Sequence, residues 1–519
     1  MKKFSIARLL VFFVMIGFSL GANAQMPSPE QRYQKYLNLS SGCYERVFKG
    51  DEAERTVPAS QIVAALDKSV CVIVSHAVIE GVLDFTPIGP TPPANTRRVV
   101  SPLQITDSEL QGIKAGALGD AAQTLFADPV DFSGSEIKGD AEFVNVIFGS
   151  VVSFQGTDFS GMAALNGAHF EKGTNFSKAK FEQLTFLFGT HFDQDVTFAE
   201  AQFVSTVRLF NVEFKGSANF QDATFGSTID LSNSLYASKA NFANAHFTHG
   251  VTAKNIEFVG SVRFDSAQVD DTIDFSATRF NSSVSFNRAT LSGARFFGVR
   301  FSQSADFTSV HFTTDTSFNS AIFGALTFFN SADFDQAVIF NNSIFVADAL
   351  FVNAKFMGDA DFGSVRFSAN LGPDFSGAQF AKTLSLENTI SAGALRLTWA
   401  QVKGKLNPET PQVLGLLEKS FTELRQGQDA ITVCEAGAKL QKEQEIALIR
   451  CTLLGSTLGI VPKVPEALKN LGEKEKKDGK AASQKLAKQK STSGNLIPLV
   501  VAVGVLGLLV LFIVKGGKL

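Results

Sequence analysis

The sequence predicts an all-β protein: a flat-sided parallel β-coil, followed by a small C-terminal αα-hairpin and one transmembrane helix. Three observations carry this. The 519 residues include 51 Phe but only four Tyr and one Trp, so one apolar residue type fills one role many times over. Large apolar residues recur in alternating steps of five and six. The residues between them are rich in Gly, Ser, Thr, Asn and Asp, which are poor helix formers.

The beat opens with Phe132, Ile137, Phe143, Phe148, Phe154, Phe159 and Leu165 and continues to Phe286. It stumbles near Phe296–Phe297, resumes from Phe307 to Phe367, and ends with Phe375, Phe380 and Leu386 after an insertion at Gly372-Pro373. The unit is therefore 11 residues. That period also belongs to right-handed helical coiled coils. A helix fails here, because a five-residue step at about 100° per residue leaves successive Phe about 140° apart, with no common face. A β-segment succeeds. Each five- or six-residue stretch makes one side, with one large residue pointing in. A small residue two positions earlier (Ala141, Ala168, Ala179, Ala201) shares that inward face, because strand side chains alternate. Gly and polar residues make the corners.

Val130-Asp131-Phe132-Ser133-Gly134 and Thr157-Asp158-Phe159-Ser160-Gly161 carry a resemblance. They resemble the pentapeptide-repeat family, whose unit is a small residue, Asp or Asn, Leu or Phe, a small polar residue, then Gly. Pro373-Asp374-Phe375-Ser376-Gly377 matches at four of the five positions. The alternate sixth residue departs from the strict unit and resembles a Phe-rich branch. The resemblance implies a right-handed quadrilateral parallel β-helix over residues 127–400, with about 22 residues per coil and about 4.8 Å of rise.

The flanks read differently. Lys2 and Lys3, the apolar run Leu9 to Leu20, and Ala22-Asn23-Ala24 make residues 1–24 a signal peptide, cleaved before Gln25. An uncleaved N-terminal anchor is the alternative. Residues 25–126 are expected to form an N-terminal cap with irregular first coils, covering an edge that would otherwise pair with other chains. Strand-like runs fall between Ala64 and Phe85, and another strand starts at Pro102-Leu103. A separate ligand-binding domain is the sharper option for this region. Beyond the rod, Thr410 as N-cap and Pro411 at the first helical position start a helical hairpin over 408–455. Val413, Leu414, Leu417 and Phe421 form its apolar stripe, and Gly427 breaks the first helix.

Residues 456–494 read as a Lys-rich linker or stalk, and 495–515 as the span, with 516–519 as a cytoplasmic tail. Leu496 to Val514 carries no charge and, at about 1.5 Å per residue, just crosses a hydrocarbon core of about 30 Å. Lys463 to Lys490 holds nine Lys against four acidic residues, which by loop charge alone would be cytoplasmic. The signal peptide outweighs it, because long domains translocate largely regardless of charge. The expected location is thus the cell membrane, single-pass, with the repeats extracytoplasmic. The Lys stretch is either merely solvated or bound to anionic head groups or wall polymer.

Cys43, Cys71, Cys434 and Cys451 suit an oxidising compartment, and none forms a CxxC pair or has His at zinc-ligand spacing. Four cysteines allow three connectivities. Proximity favours Cys43–Cys71. A single continuous helix carrying Cys434 and Cys451 would hold those thiols too far apart to bond.

Chemistry-bearing residues are sparse. His246 and His249 stand three apart with no carboxylate or thiol cluster to complete a metal site. Asp270-Asp271 and Asp333/Asp335 read as solvated corners rather than as an acid–base pair. No P-loop, GxSxG or dinucleotide fingerprint occurs. Catalytic, cofactor and metal residues are therefore expected to be none. Residues 127–390 hold 28 acidic and 16 basic side chains, a net excess of 12 negative charges, which disfavours nucleic-acid binding. The expected function is a non-enzymatic scaffold or binding rod of the cell envelope, with a protein or envelope polymer as partner. The alternative is a DNA mimic that binds topoisomerases, as some cytoplasmic pentapeptide-repeat proteins do. An enzyme with an unseen site in residues 25–126 is the third option.

Overall fold

The computed structural model describes residues 42–49, 54–91, 95–116, 122–441 and 444–460. The expected signal peptide, the span and its tail, and the stalk from residue 461 onward lie outside the described residues. No described helix is long and apolar enough to cross a membrane.

The chain forms a parallel β-solenoid of about 15 turns. Each turn has four short strands, and each strand pairs in parallel with the one 22 residues later: Val130 with Val152, Glu136 with Asp158, Ala141 with Ala163, Ile147 with His169. We number the four sides face 1 (starting at Val130–Asp131), face 2 (Glu136–Ile137), face 3 (Ala141–Phe143) and face 4 (Ile147–Phe148). Pairing begins well before residue 127, since Tyr44–Val47, Val72–Ser75 and Leu103–Thr106 already lie in the face 1 ladder.

The alternation of five and six has a backbone cause. The steps from face 1 to face 2 and from face 3 to face 4 take five residues, and each turns through one residue of positive φ. At the first corner these are Gly134, Gly156, Lys178, Glu200 and Asp222; at the second, Asn145, Gly167, Gly189, Asn211 and Asn233. The six-residue steps carry one extra residue and, in the regular coils from Val130 to Phe264, turn without one. Asn and Asp tolerate the left-handed region best, and Gly adopts it freely, which accounts for most of the residues found there.

Inward, the large residues stack in register as columns. Face 1 has an unbroken file of Phe from Phe132 to Phe375, with ring centroids of neighbours 4.8–5.6 Å apart and nearly parallel. Rings of opposite faces meet edge-on across the core, as Phe329 of face 1 and Phe340 of face 3 do at 5.4 Å and 86°. Tyr236 replaces Phe in the face 4 column. Its hydroxyl is fully buried with no hydrogen-bond partner among the described residues, and burial pushes its pKa far up.

The stumble is one missing residue. Arg279 pairs with Arg300, 21 rather than 22 positions on, and continuous strands (Gln268–Asp274 and Thr290–Arg295) run across the face 2–face 3 corner there. Phe296 points in, while Phe297 is 55% exposed.

Both ends are covered. At the N-terminal end the strand-like runs expected between Ala64 and Phe85 form strands Val72–Ser75, Val78–Glu80 and Leu83–Asp84, and a helix the sequence did not announce precedes them. This helix, α1 (Ala59–Asp67), lays Ala59, Ile62, Val63 and Leu66 on the first coils at helical spacing. Strands Tyr44–Val47 and Thr56–Pro58 precede the helix, and the next begins at Val72. At the C-terminal end the last coil closes through Asp374–Arg396 and Leu384–Leu406 bridges, around the short helix α2 (Trp399–Val402). Helix α3 (Pro411–Glu423) then starts as expected, with the Thr410 hydroxyl accepting from Val413 N. Its Val413, Leu414, Leu417 and Phe421 continue the core of the rod.

The expected single helix through Cys434 and Cys451 is also corrected. The chain breaks after α4 (Gly427–Lys439) and returns as α5 (Gln444–Thr457), which packs back on α4. Folding back brings the two thiols together, so Cys434–Cys451 is a disulfide alongside Cys43–Cys71.

Candidate functional site

What the rod offers to a partner is its outward side chains, and the alternating three- and four-residue corners and two-residue strands set them in files 22 residues apart. Polar files pair with themselves along the rod. Asn241 donates to Asn219 Oδ1 at 3.1 Å, Asn244 to Asp222 at 2.9 Å, and Asn175 to Gln155 at 3.1 Å.

The histidines follow one pattern that spacing within a coil does not reveal. His169 Nε2 meets Asp193 Oδ2 at 2.8 Å, His246 meets Asp270 at 2.7 Å, and His311 meets Asp335 at 2.8 Å. In each case the partner is 24 residues on, diagonally placed in the next coil. His191 Nδ1 meets Glu213 Oε2, directly above it, at 2.9 Å. A search for His followed by a carboxylate at 22 or 24 residues would have found all four. Lys215 extends the first pair, with Nζ 2.8 Å from Asp193 Oδ1. That ammonium first, and His169 second, hold the Asp193 carboxyl below its usual range. Gln268 and then His246 lower Asp270 in the same way.

The structure separates the residues that the sequence places side by side. His249 turns to Thr248 Oγ1 at 2.9 Å while His246 takes Asp270, so the two imidazoles do not converge. Asp333 is engaged by Lys355 at 3.1 Å and Asp335 by His311. No group of three His, Cys, Asp or Glu able to hold a metal ion occurs among the described residues. These pairs brace one coil to the next; exposed as they are, each contributes little individually.

No known protein family, curated protein or solved structure matches the chain.

Concavities also occur among the described residues. A shallow, open depression of about 570 Å³ at the face 1–face 2 edge is lined by Gln221, Asn244, Arg263, Asp265, Arg288 and Asp306. Arg263 is tied to Asp265 at 2.8 Å, which also accepts from Ser285. Its lining is polar apart from Ala243, unlike the mostly apolar walls of small-molecule pockets. A second, of about 350 Å³, lies beside α1 between Val63, Asp67, Val82 and Ile88. Face 3 also carries a half-exposed aromatic cluster, in which Phe188 stacks on Phe210 at 5.2 Å and the Arg208 guanidinium lies 5.8 Å from the Phe186 ring.

Proposed function

We propose that this chain is a Phe-rich pentapeptide-repeat rod, with right-handed coils, that serves as a non-enzymatic scaffold on the outer side of the cell membrane. The segment 495–515 holds it there, and a protein or envelope polymer is its partner. One observation supports the reading above others: the inward positions are uniform over the length of the rod while the outward files vary. Such an arrangement separates the demands of folding, met by the Phe columns, from recognition, which the files are free to encode. The helices packed on both ends favour a discrete rod over a fibre, since they cover part of the terminal coils.

The test has two parts. Export-dependent reporters fused within the rod and after Leu519 read the topology; activity of the rod fusion only in the cytoplasm sinks the proposal. Photo-crosslinkers at Gln202, Asp230 and Asn281, one on each of three faces, then seek the partner in intact envelopes. Adducts confined to one face support recognition through that file, and no adduct on any face counts against a scaffold. The alternative of a topoisomerase-binding DNA mimic draws on the excess of 12 negative charges over residues 127–390, and it requires the cytoplasmic result.

A further inference from the structure

Along the edge where face 4 turns into face 1, the outward residues are mostly polar, with single exposed apolar residues such as Val151 and Val259 in some coils. One coil shows Arg279, Asn281 and Ser285; the next shows Arg300, Ser302 and Asp306. Two consecutive coils carry several apolar residues there at once. Their edge presents Ile322, Leu326 and Phe328, then Ile344, Val346 and Leu350, with Ile322 paired to Ile344 and Phe328 to Leu350 in register. Leu326 is 37% and Val346 51% exposed, and Leu371 in the inserted loop, 57% exposed, prolongs the ridge by one coil. The neighbouring coils fold with polar residues at these positions, so the solenoid does not require apolar ones. An exposed apolar surface of this kind, interrupted only by Asp348 one coil on from Leu326, marks an interaction site.

The charges beside the ridge are arranged unevenly. On the face 4 side, Arg300 precedes it and Arg366 follows it, and neither has an ion-pair partner among the described residues. On the face 1 side of the same two coils stand Asp306 and Asp374, the latter 3.4 Å from Arg396. We propose that the ridge is the contact between two copies of the chain lying side by side and parallel. A half-turn about an axis along the rod brings ridge to ridge at equal height. It also sets face 4 of each copy beside face 1 of the other, so that Arg300 meets Asp306 and Arg366 meets Asp374 across both flanks. An antiparallel pair would instead oppose arginine to arginine. A lipid surface carrying anionic head groups would attract the arginines but repel the two carboxylates. Charge complementarity thus selects the second copy. The ridge spans only two to three coils, below the roughly 800 Å² per partner of a stable interface. The dimer is therefore weak and concentration-dependent in solution.

The experiment uses the full chain with Val346→Cys, whose thiol is the only one outside the two disulfides. Because Val346 lies beside the two-fold axis, mild oxidation is expected to yield a covalent dimer as concentration rises. Val204→Cys, equally exposed at 51% but on face 2, is expected to stay monomeric. In the Val346→Cys background, Arg300→Asp and Asp306→Arg are each expected to cut the dimer yield by about tenfold, and mixing the two chains to restore it. Equal crosslinking of the two thiols, or no recovery on mixing, overturns the proposal. So does sedimentation as a monomer at every concentration with Val346-dependent binding to anionic vesicles.

Discussion

Replacing Phe220 by alanine probes the Phe column at its centre. The ring is fully buried, stacked on Phe198 at 4.9 Å and on Phe242 at 4.8 Å, and it meets Phe214 and Phe225 at its edges. Truncation loses its transfer free energy, about 2–3 kcal/mol, together with the contacts of two stacked neighbours and a cavity that parallel strands on every side cannot close. The expected destabilisation is about 3–5 kcal/mol. Phe186→Ala is the matched control: the same substitution on an outward, half-exposed ring, expected to cost under about 1 kcal/mol. Because each coil contacts only its neighbours, the damage is also local. Hydrogen exchange with mass spectrometry, read alongside urea unfolding, should show protection falling in the coils from Phe198 to Phe242 and persisting near Phe329. Equal costs for the two variants, or a uniform loss of protection from end to end, would refute the columnar core.

Further expectations follow from the corners, the charges and the C-terminal cap. Ala277 adopts φ of 60° with no side-chain hydrogen bond to support it, so Ala277→Gly should raise stability by about 0.5–1 kcal/mol in urea melts. Asp193 and Asp270 have lowered pKa values in the folded state, so their contribution is complete above the unfolded carboxylate value near 3.9 and is lost as pH falls through the folded values. Thermal midpoints should therefore be level between about pH 7 and 5 and drop below about pH 4, with a shallower drop in an Asp193→Asn, Asp270→Asn double variant. Reducing Cys434–Cys451, which closes a 17-residue separation, should cost the helical cap about 3 kcal/mol and open α4 and α5 to limited proteolysis before the rod.

The solenoid was legible because a single apolar period ran the length of the rod. Phe at alternating steps of five and six admits a β-coil and excludes a helix. The reason for that alternation was not legible, because it resides in φ at residues as unlike as Lys178, Glu200 and Asn211. Helix α1 was missed because its apolar Ile62, Val63 and Leu66 stand only a few residues before the strand-forming Val70 and Val72, with no Pro or Gly between them. The break between α4 and α5 has no Gly or Pro to announce it, and it decides whether Cys434 and Cys451 can meet. Among the outward groups, the His–carboxylate pairs escaped a reading confined to neighbouring residues, since their partners lie one coil away. The apolar ridge escaped because its residues share the hydrophobic character of the core and differ only in which way the pleat turns them.

The account stands most directly on the rise of one strand spacing per coil. Paired spin labels at Gln202 and Gln379, both exposed on face 2, are separated by eight coils, and labels at Gln268 and Gln379 by five. Pulsed electron–electron resonance should then give separations of about 38 Å and about 24 Å, a difference of three coils at about 4.8 Å each. Separations that do not scale with the number of coils would contradict a parallel solenoid built on the Phe beat.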